Sequence, residues 1–281
     1  MIKTNNIASR DNKRLKHARK VRDGNEIGEI FVEGSRLCVE ALRSDIAIQE
    51  CFVSEKFSRS QKAVDLVGAI LSRGIVVHEV TESLLDSIAD TTTPQGIVLI
   101  CDRPAADQSA FEASFDRQSR NLLTVVYLDE PNNPANLGAI LRVVEAAGAA
   151  GIIVSERSTD PFSAKSIRAS MGSALRVSIW NEAKMDEAFS WARSHQLIIT
   201  AADINGDRSY SQIDWNVPRL LVFGSEAHGL SNVSEQNIED LIRIPMHGFA
   251  ESLNLAVSAG VILFEANRQV RGPGKQTRPN S

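Results

Sequence analysis

The chain has 281 residues, of which 43% are hydrophobic and 23% charged, and its net charge is -4. This composition is ordinary for a globular protein, and the length suits two domains or one large one. No apolar run reaches the roughly 18 residues of a membrane helix, and the N-terminus lacks the apolar core of a secretory signal. The cysteines Cys38, Cys51 and Cys101 form no CxxC pair. We therefore expect a cytoplasmic protein with no membrane association and no metal site.

The charge is distributed unevenly along the chain. Residues 1–23 contain eight Lys and Arg against two acidic residues, and residues 268–281 contain four against none. The remaining residues, 24–267, contain 19 basic and 33 acidic side chains. A basic arm on an acidic body is a typical footprint of a nucleic-acid-binding protein. A solvated helix face followed by a frayed tail explains the same charges, so both interpretations stay open.

The first 105 residues alternate between short strands and helices. We predict strands at 29–33, 47–54, 75–80 and 97–101, and helices at 34–44, 59–72 and 82–89. This alternation indicates a small α/β domain at 1–105, with the basic arm at 1–23. The segment 102–120 has few large apolar side chains, so we place a linker at 106–120.

A second α/β pattern begins at residue 121. It opens with a strongly apolar strand at 122–128, of the kind that is buried on both faces of a parallel sheet. A helix at 136–147 ends at Gly148. Further helices are predicted at 162–173, 183–194 and 233–240, and further strands at 152–154, 175–179, 197–202 and 219–223. We expect this domain to cover 121–270 and a flexible tail to cover 271–281.

The last predicted helix, at about 252–268, is apolar nearly all round. Such a helix is expected to pack into a core or a subunit interface, because a surface helix keeps one polar face.

Three segments place polar side chains at the ends of apolar runs. They run from Asn136 to Arg142, from Phe223 to Leu230, and from Ile244 to Met246 followed by 251–256. Ligands of open α/β sheets bind beyond the carboxyl ends of strands, and helix starts offer N–H donors to carboxylates and phosphates. Singly, each polar residue also has a structural explanation. Asn136, Glu226 and Ser252 fit helix or turn caps, and Arg142 fits a surface ion pair.

Other chemistries find little support. The chain has no GxGxxG after a strand, no GxxxxGK[ST] and no HExxH. Ser225, Glu226 and His228 suggest a hydrolase, but adjacent residues rarely form a catalytic triad, and a nucleophile elbow requires GxSxG. Hydrolysis is therefore disfavoured.

In this order and with this spacing, the three segments closely resemble the motifs of the SpoU (TrmH-type) RNA 2'-O-ribose methyltransferases of the SPOUT superfamily. The resemblance extends over about residues 122–269. Val32-Glu33-Gly34 and Thr93-Pro94-Gln95-Gly96 resemble the substrate-binding domain that precedes many of these enzymes, which is similar to small ribosomal-protein-type RNA binders. The resemblance implies a trefoil-knotted C-terminal α/β domain, S-adenosylmethionine as cofactor, and a homodimer with the last helix at its interface.

The resemblance also implies roles for individual residues. The cofactor pocket would be lined by Phe223, Gly224, Glu226, Ile244, Met246, Ser252 and Leu253. The catalytic set would be Asn136, Arg142, Glu226, Ser252 and Asn254. Arg142 matches the position of the family's proposed proton acceptor. Because a guanidinium group stays protonated at neutral pH, we prefer a role in binding an RNA phosphate and stabilising the developing alkoxide.

The resemblance leaves the target open. The N-terminal domain suggests a folded RNA element and favours large-subunit ribosomal RNA, with tRNA as the alternative. Functions of a different class also stay open. They are a non-catalytic RNA-binding or ribosome-assembly protein, and a methyltransferase that acts on small molecules or proteins. The second motif departs from many relatives at Ser225 and at Ala227-His228, and the third has its own sequence at 246–250. Relatives with this layout confer resistance to ribosome-targeting antibiotics, so such a role is also open.

Overall fold

The computed structural model describes residues 5–117, 122–225, 228–230, 233, 237–248 and 252–272. The chain forms two compact units. The first comprises Met1–Ala105 with Pro161–Arg176, and the second comprises Ala106–Asp160 with Val177–Ser281. Within the described residues, no helix is long and apolar enough to cross a membrane, and no cluster of His, Cys, Asp or Glu is arranged to hold a metal ion.

Strands and helices alternate along both units. The strands are β1 (Asn5–Ile7), β2 (Glu29–Glu33), β3 (Ile48–Ser54), β4 (Val76–Val80), β5 (Ile97–Asp102), β6 (Thr124–Leu128), β7 (Gly151–Ser155), β8 (Ile179–Ala183), β9 (Ile198–Ala202), β10 (Arg208–Ser209), β11 (Arg219–Phe223) and β12 (Asp240–Arg243). The helices are α1 (Lys13–Arg22), α2 (Ser35–Arg43), α3 (Glu55–Ser58), α4 (Gln61–Ser72), α5 (Glu82–Ile88), α6 (Gln108–Arg117), α7 (Pro134–Ala147), α8 (Ala164–Ala169), α9 (Met185–Ser194) and α10 (Leu255–Arg271).

The first unit is built on a five-stranded sheet in the order β1-β4-β3-β5-β2. β5 runs antiparallel to both its neighbours, whereas β1, β3 and β4 are parallel. The three cysteines are buried in this unit, and burial raises the pKa of each thiol. A buried neutral thiol is a poor nucleophile, so these side chains serve as packing residues.

The two segments that resemble a substrate-binding domain meet in this sheet. The N–H of Gly34 donates to the carbonyl of Ile97 at 3.0 Å. The side-chain oxygen of Gln95 accepts from the N–H of Ser35 at 3.1 Å and so caps α2, whose own cap position carries no side chain. Gly96 has φ +86°, and a Cβ there would lie 2.6 Å from that of Phe57. Glycine is therefore required at this close approach.

The second unit contains a seven-stranded sheet in the order β10-β12-β9-β11-β6-β7-β8, and every pair of neighbours is parallel. β6, β7 and β11 are buried along their whole length, as the apolar run at 122–128 predicts. An aromatic cluster on this sheet includes Phe111, Trp180 and Trp191. Phe111 belongs to α6, which occupies most of the segment we expected to be a linker.

Several predicted boundaries differ from those observed. α7 is capped by Asn133 rather than Asn136, because Pro134 fits the first helical position and the cap is the residue before it. α10 is capped by Asn254 rather than Ser252. The strand predicted at 175–179 lies at Ile179–Ala183, and the helix predicted at 162–173 is reduced to α8. β1 and α1 were not predicted.

Two other expectations have mixed outcomes. α10 is not covered all round, since Val257 and Phe264 are 50% and 52% exposed. Residues 234–236 of the helix predicted at 233–240, and residues 273–281 of the expected tail, lie outside the described residues, and Asp240 at the end of that predicted helix belongs to β12.

Candidate active site

A cavity of about 440 Å³ opens at one edge of the second sheet. β12, β9 and β11 are adjacent and parallel there, and Ile242, Ala202 and Phe223 lie in one row across them. Their carboxyl ends therefore meet, as is usual for ligand sites of α/β sheets. The cavity is lined by Asn136, Ala202, Asp203, Ile204, Phe223, Gly224, Ser225, Gly229, Leu230, Ile242, Ile244, Met246, Ser252, Leu253, Asn254, Leu255, Ser258 and Ile262.

A tight turn follows β11. Ser225 and Gly229 exchange two backbone hydrogen bonds, of 2.8 and 2.9 Å, so the chain folds back on Gly224. A Cβ at Gly224 would lie 2.2 Å from the backbone of Gly229 and 2.6 Å from the nitrogen of Leu230. The buried Ser225 hydroxyl accepts from the N–H of His228 at 3.0 Å. This serine holds the turn together, which agrees with the sequence argument against a hydrolase.

The start of α10 forms the polar side of the cavity. The side-chain oxygen of Asn254 accepts from the N–H groups of Ala256 and Val257, at 2.9 and 3.4 Å, and so caps the helix. Its Nδ2 then donates to the side-chain oxygen of Asn136 at 3.0 Å. The first and third segments of the sequence are thereby joined directly.

α7 and α10 run side by side in the same direction. Their first turns are linked by the Asn136–Asn254 contact. Near their far ends, Nδ2 of Asn267 donates to the carbonyl of Ala147 at 2.5 Å. This bond satisfies one of the last carbonyls of α7, which no intrahelical partner can reach. Polar contacts at both ends therefore fix how α10 lies against α7.

The loop after β9 completes the lining. The carboxylate of Asp203 accepts two bonds from Asn205 through a single oxygen, at 2.8 and 3.0 Å. No sequence motif identified this loop as part of the site. The strand predicted at 197–202 could have indicated it, because the carboxyl ends of parallel strands lie at the same edge of a sheet.

An ion pair beneath the cavity binds three strands together. Arg219 on β11 is 3% exposed, and its Nη1 donates to Asp240 on β12 at 2.6 Å and to Thr200 on β9 at 2.7 Å. A second guanidinium, from the more exposed Arg208, donates to the other oxygen of Asp240 at 3.0 Å. The position of β12, and of the chain that leaves it toward Ile244, therefore depends on this network.

The structure brings most of the predicted site residues together. Those that line the cavity are Asn136, Phe223, Gly224, Ile244, Met246, Ser252, Leu253 and Asn254. Arg142 does not line it. This residue lies exposed on α7 and has no hydrogen bond or ion pair to any described residue. Glu226 lies outside the described residues.

Residues 13–22 of the basic arm form α1, and most of the charged side chains on this helix contact other described residues of the first unit. Ion pairs join Arg14 to Glu50, Lys16 to Asp11, His17 to Glu29, Lys20 to Glu26 and Arg22 to Asp23. Arg19 donates to the carbonyl and hydroxyl of Ser87. Lys13 is exposed and has no ion pair within the part of the chain that the structure describes. The positive charge open to a ligand on α1 is therefore smaller than its composition suggests.

Comparisons with known proteins cover both units. Residues 123–264 match the SpoU rRNA Methylase family, and residues 31–106 match the domain described as RNA 2'-O ribose methyltransferase substrate binding. The chain is 32% identical over 244 residues to an "uncharacterized tRNA/rRNA methyltransferase" of Mycolicibacterium vanbaalenii, a match spanning 86% of this chain and 77% of that protein.

Two solved structures extend the likeness to the fold. The AdoMet-bound rRNA methyltransferase of Sinorhizobium meliloti is 30% identical, with a TM-score of 0.80 over 94% of this chain and 98% of that one. The SpoU methyltransferase AviRb of Streptomyces viridochromogenes, in complex with AdoMet, is 26% identical, with a TM-score of 0.79 over 93% and 100%. The resemblance carried by the three segments is thus confirmed, and the chain belongs to the SpoU family of RNA methyltransferases.

Proposed function

We propose that this protein transfers a methyl group from S-adenosylmethionine to a ribose 2'-hydroxyl of RNA. The observation that carries the proposal is the single cavity lined by residues of all three sequence segments. At its polar side, Asn136 and Asn254 are hydrogen-bonded to one another. A binding module without catalysis would not require these two amides to meet beside a ligand cavity.

The cavity fits the cofactor. Its volume of about 440 Å³ lies within the range of about 300–1,000 Å³ that is typical of small-molecule sites. Apolar side chains on the strand ends, such as Ile242 and Ile244, suit an adenine ring. At the start of α10, Asn254 already accepts from the N–H groups of Ala256 and Val257, and the N–H of Leu255 is placed to suit a carboxylate. When bound, S-adenosylmethionine supplies a methyl group on a positively charged sulfur, which is open to attack by an oxygen.

Each residue of the proposed catalytic set would then have its own role. Ser252 and Asn254 orient the attacking hydroxyl or the methionine end of the cofactor. Arg142 binds an RNA phosphate bidentately and stabilises the alkoxide that develops as the hydroxyl loses its proton. Glu226 orients Arg142 or the ligand. In this scheme Arg142 acts from outside the cavity wall, on RNA that spans the cavity mouth.

We also propose a homodimer and a trefoil knot. Val257 and Phe264 leave an apolar stripe of α10 exposed, and a second copy of the chain would cover it. Val143, next to Arg142, approaches Gly260 in the middle of α10. Arg142 would therefore lie close to such an interface. Membership of the SpoU family supports a knot in the C-terminal part of this domain.

The favoured substrate is large-subunit ribosomal RNA. The match of residues 31–106 to a substrate-binding domain supports recognition of a folded RNA element. A tRNA is the second candidate, since a relative's name includes both RNA classes.

The test is a methylation assay with radiolabelled S-adenosylmethionine, using tRNA and protein-free ribosomal RNA from a strain that lacks the gene. Label in ribosomal RNA, recovered as an alkali-resistant dinucleotide, is the expected result. Label only in tRNA would move the target to the second candidate. Label in neither RNA, with cofactor binding demonstrated, would count against catalysis on free RNA.

Arg142 has its own test. Arg142→Ala should abolish methylation while the dissociation constant of S-adenosylmethionine changes by less than about twofold, because the side chain lies outside the cavity. Arg142→Lys should recover little activity, since an ammonium group cannot make the bidentate contact. Normal turnover in Arg142→Ala would exclude the assigned role.

A further inference from the structure

Asp203 is the acidic side chain that follows the carboxyl end of strand β9, and it lines the cavity. We infer that its carboxylate binds the ribose hydroxyls of the nucleoside held there. The inference rests on the proposed cofactor. It adds to the site a residue from outside the three segments, and it states which part of the ligand that residue contacts.

The carboxylate has one committed oxygen and one available oxygen. Oδ1 accepts the backbone and side-chain N–H groups of Asn205 at 2.8 and 3.0 Å. Oδ2 has no hydrogen-bond partner among the described residues. The half-buried side chain is therefore anchored through one oxygen and can offer the other to a ligand in the cavity.

The loop that carries Asp203 is held in place by backbone contacts. The N–H of Asp203 donates to the carbonyl of Ile242 at 2.9 Å, and the N–H of Gly206 donates back to the carbonyl of Asp203 at 3.2 Å. A Cβ at Gly206 would lie 2.4 Å from the backbone of Ile242, and Nη1 of Arg243 donates to the Gly206 carbonyl at 2.7 Å. The carboxylate is thus oriented before any ligand binds, which reduces the cost of ordering it.

The chemistry of the pair favours a sugar diol. An ionised carboxylate only accepts hydrogen bonds, and the two ribose hydroxyls offer two donors. An acidic residue at the end of a parallel strand binds ribose in the same way in dinucleotide-binding folds. Charge-assisted bonds of this kind are about twice as strong as neutral ones.

Asp203 lies on a different strand from the residues expected beside the reacting methyl group. Asn136 belongs to the helix that follows β6, and β11 lies between β6 and β9. Two strand spacings amount to about 10 Å. If the methyl group is delivered beside Asn136 and Asn254, Asp203 lies too far away to contact it and within reach of the nucleoside.

Asp203→Asn is the discriminating variant, because an amide oxygen keeps the turn with Asn205 and removes the charge. Asp207→Asn is the matched control, since Asp207 carries the same charge in the same loop, is exposed and does not line the cavity. Calorimetry would measure the dissociation constants of S-adenosylmethionine, S-adenosylhomocysteine and 2',3'-dideoxy-S-adenosylhomocysteine for the purified full-length proteins.

We expect Asp203→Asn to weaken the binding of S-adenosylhomocysteine about tenfold and to bind the dideoxy ligand as the wild type does. Asp207→Asn should bind all three ligands as the wild type does. An equal loss for both ligands would overturn the inference in favour of a structural effect. A loss confined to S-adenosylmethionine would overturn it in favour of attraction to the sulfonium charge. A wild-type protein that binds none of the three would refute the proposed function, and the inference with it.

Discussion

The side-chain amide of Asn254 donates a hydrogen bond to that of Asn136 at 3.0 Å, across 118 residues of sequence. Each residue belongs to the first turn of its helix or to its cap. Because the oxygen of Asn254 is occupied by capping α10, its NH₂ group is the one directed at Asn136. One residue thus ends a loop, starts the last helix and connects two parts of the site.

These two tasks of Asn254 can be separated by substitution. Serine is a good helix cap but is too short to reach Asn136. We expect Asn254→Ser to leave the melting temperature almost unchanged and to lower turnover about 100-fold, because displacement of a positioning group by about 1 Å has effects of that size. Asn254→Ala should lose turnover similarly and also about 1 kcal/mol of stability with the cap. Single-turnover methylation and thermal unfolding measure the two effects. Full activity in Asn254→Ser would show that the amide pair is only structural.

Gly224 should not tolerate a side chain. A Cβ there would overlap the backbone of Gly229, which cannot move without opening the turn held by Ser225. We expect Gly224→Ala to destabilise the protein by about 1–3 kcal/mol and to abolish measurable cofactor binding. The control is Gly229→Ala. Gly229 has φ +57°, but a Cβ added there would have no atom within 4 Å, so that alanine should cost about 1 kcal/mol and leave binding measurable. Calorimetric titration with S-adenosylhomocysteine would compare the two variants. Equal affinities would show that the close contact between Gly224 and Gly229 does not shape the cofactor site.

The sequence predicted those parts of the site that depend on local pattern. The apolar strand predicted at 219–223, followed by glycine and polar residues, identified the strand end at Phe223, because a parallel sheet directs such ends to one edge. The contact between Asn136 and Asn254 was not predictable from the sequence alone. It depends on how two helices pack, and no local pattern encodes that packing.

Other differences have equally specific causes. Asparagine, serine and proline near a helix start all favour capping, so the sequence could not distinguish Asn133 from Asn136, or Asn254 from Ser252. The charge of α1 was overestimated because partners such as Glu50 are distant in sequence. Asp203 was overlooked because a lone acid after a strand has no distinctive spacing.

The Arg219–Asp240 pair should stabilise the strands whose carboxyl ends form the site. Removing Asp240 would leave the buried guanidinium of Arg219 without its counter-charge. We expect Asp240→Ala to lose about 3–5 kcal/mol in urea unfolding, as is usual for a broken buried pair. Arg208→Ala removes the more exposed partner of the same carboxylate and should cost no more than about 1 kcal/mol. Similar losses in the two variants would argue that burial does not set the strength of this network.

Lys13 should contribute to RNA binding more than its paired neighbours on α1 do. Its ammonium group is exposed and free of ion pairs to the described residues. Each phosphate contact contributes about 0.7–0.9 to the slope of log K against log salt concentration. We expect Lys13→Ala to weaken RNA binding and reduce that slope by about this amount in filter-binding titrations. Lys184→Ala, on the second unit and paired with Glu187, is the control and should change neither quantity. An unchanged slope for Lys13→Ala would remove α1 from the RNA-binding surface.

His78 should make the stability of the protein depend on pH. The ring is buried against Phe52, with centroids 5.2 Å apart, and neither ring nitrogen has a hydrogen-bond partner among the described residues. Burial, and then the positive charge of Arg14, lower the pKa of His78. Glu50 lies 4.0 Å from the ring, but it is already paired with Arg14.

The direction of the effect follows from proton binding. Unfolded histidine has a pKa of about 6.5, so between that value and the lower folded pKa the unfolded chain binds more protons. The contribution of His78 is therefore complete above about pH 6.5 and is lost as the pH falls below it. Urea midpoints at pH 7.5 and pH 5.0 should differ more for the wild type than for His78→Phe, which keeps an aromatic ring and cannot titrate. If the two proteins lose the same stability over this range, His78 is not the group responsible.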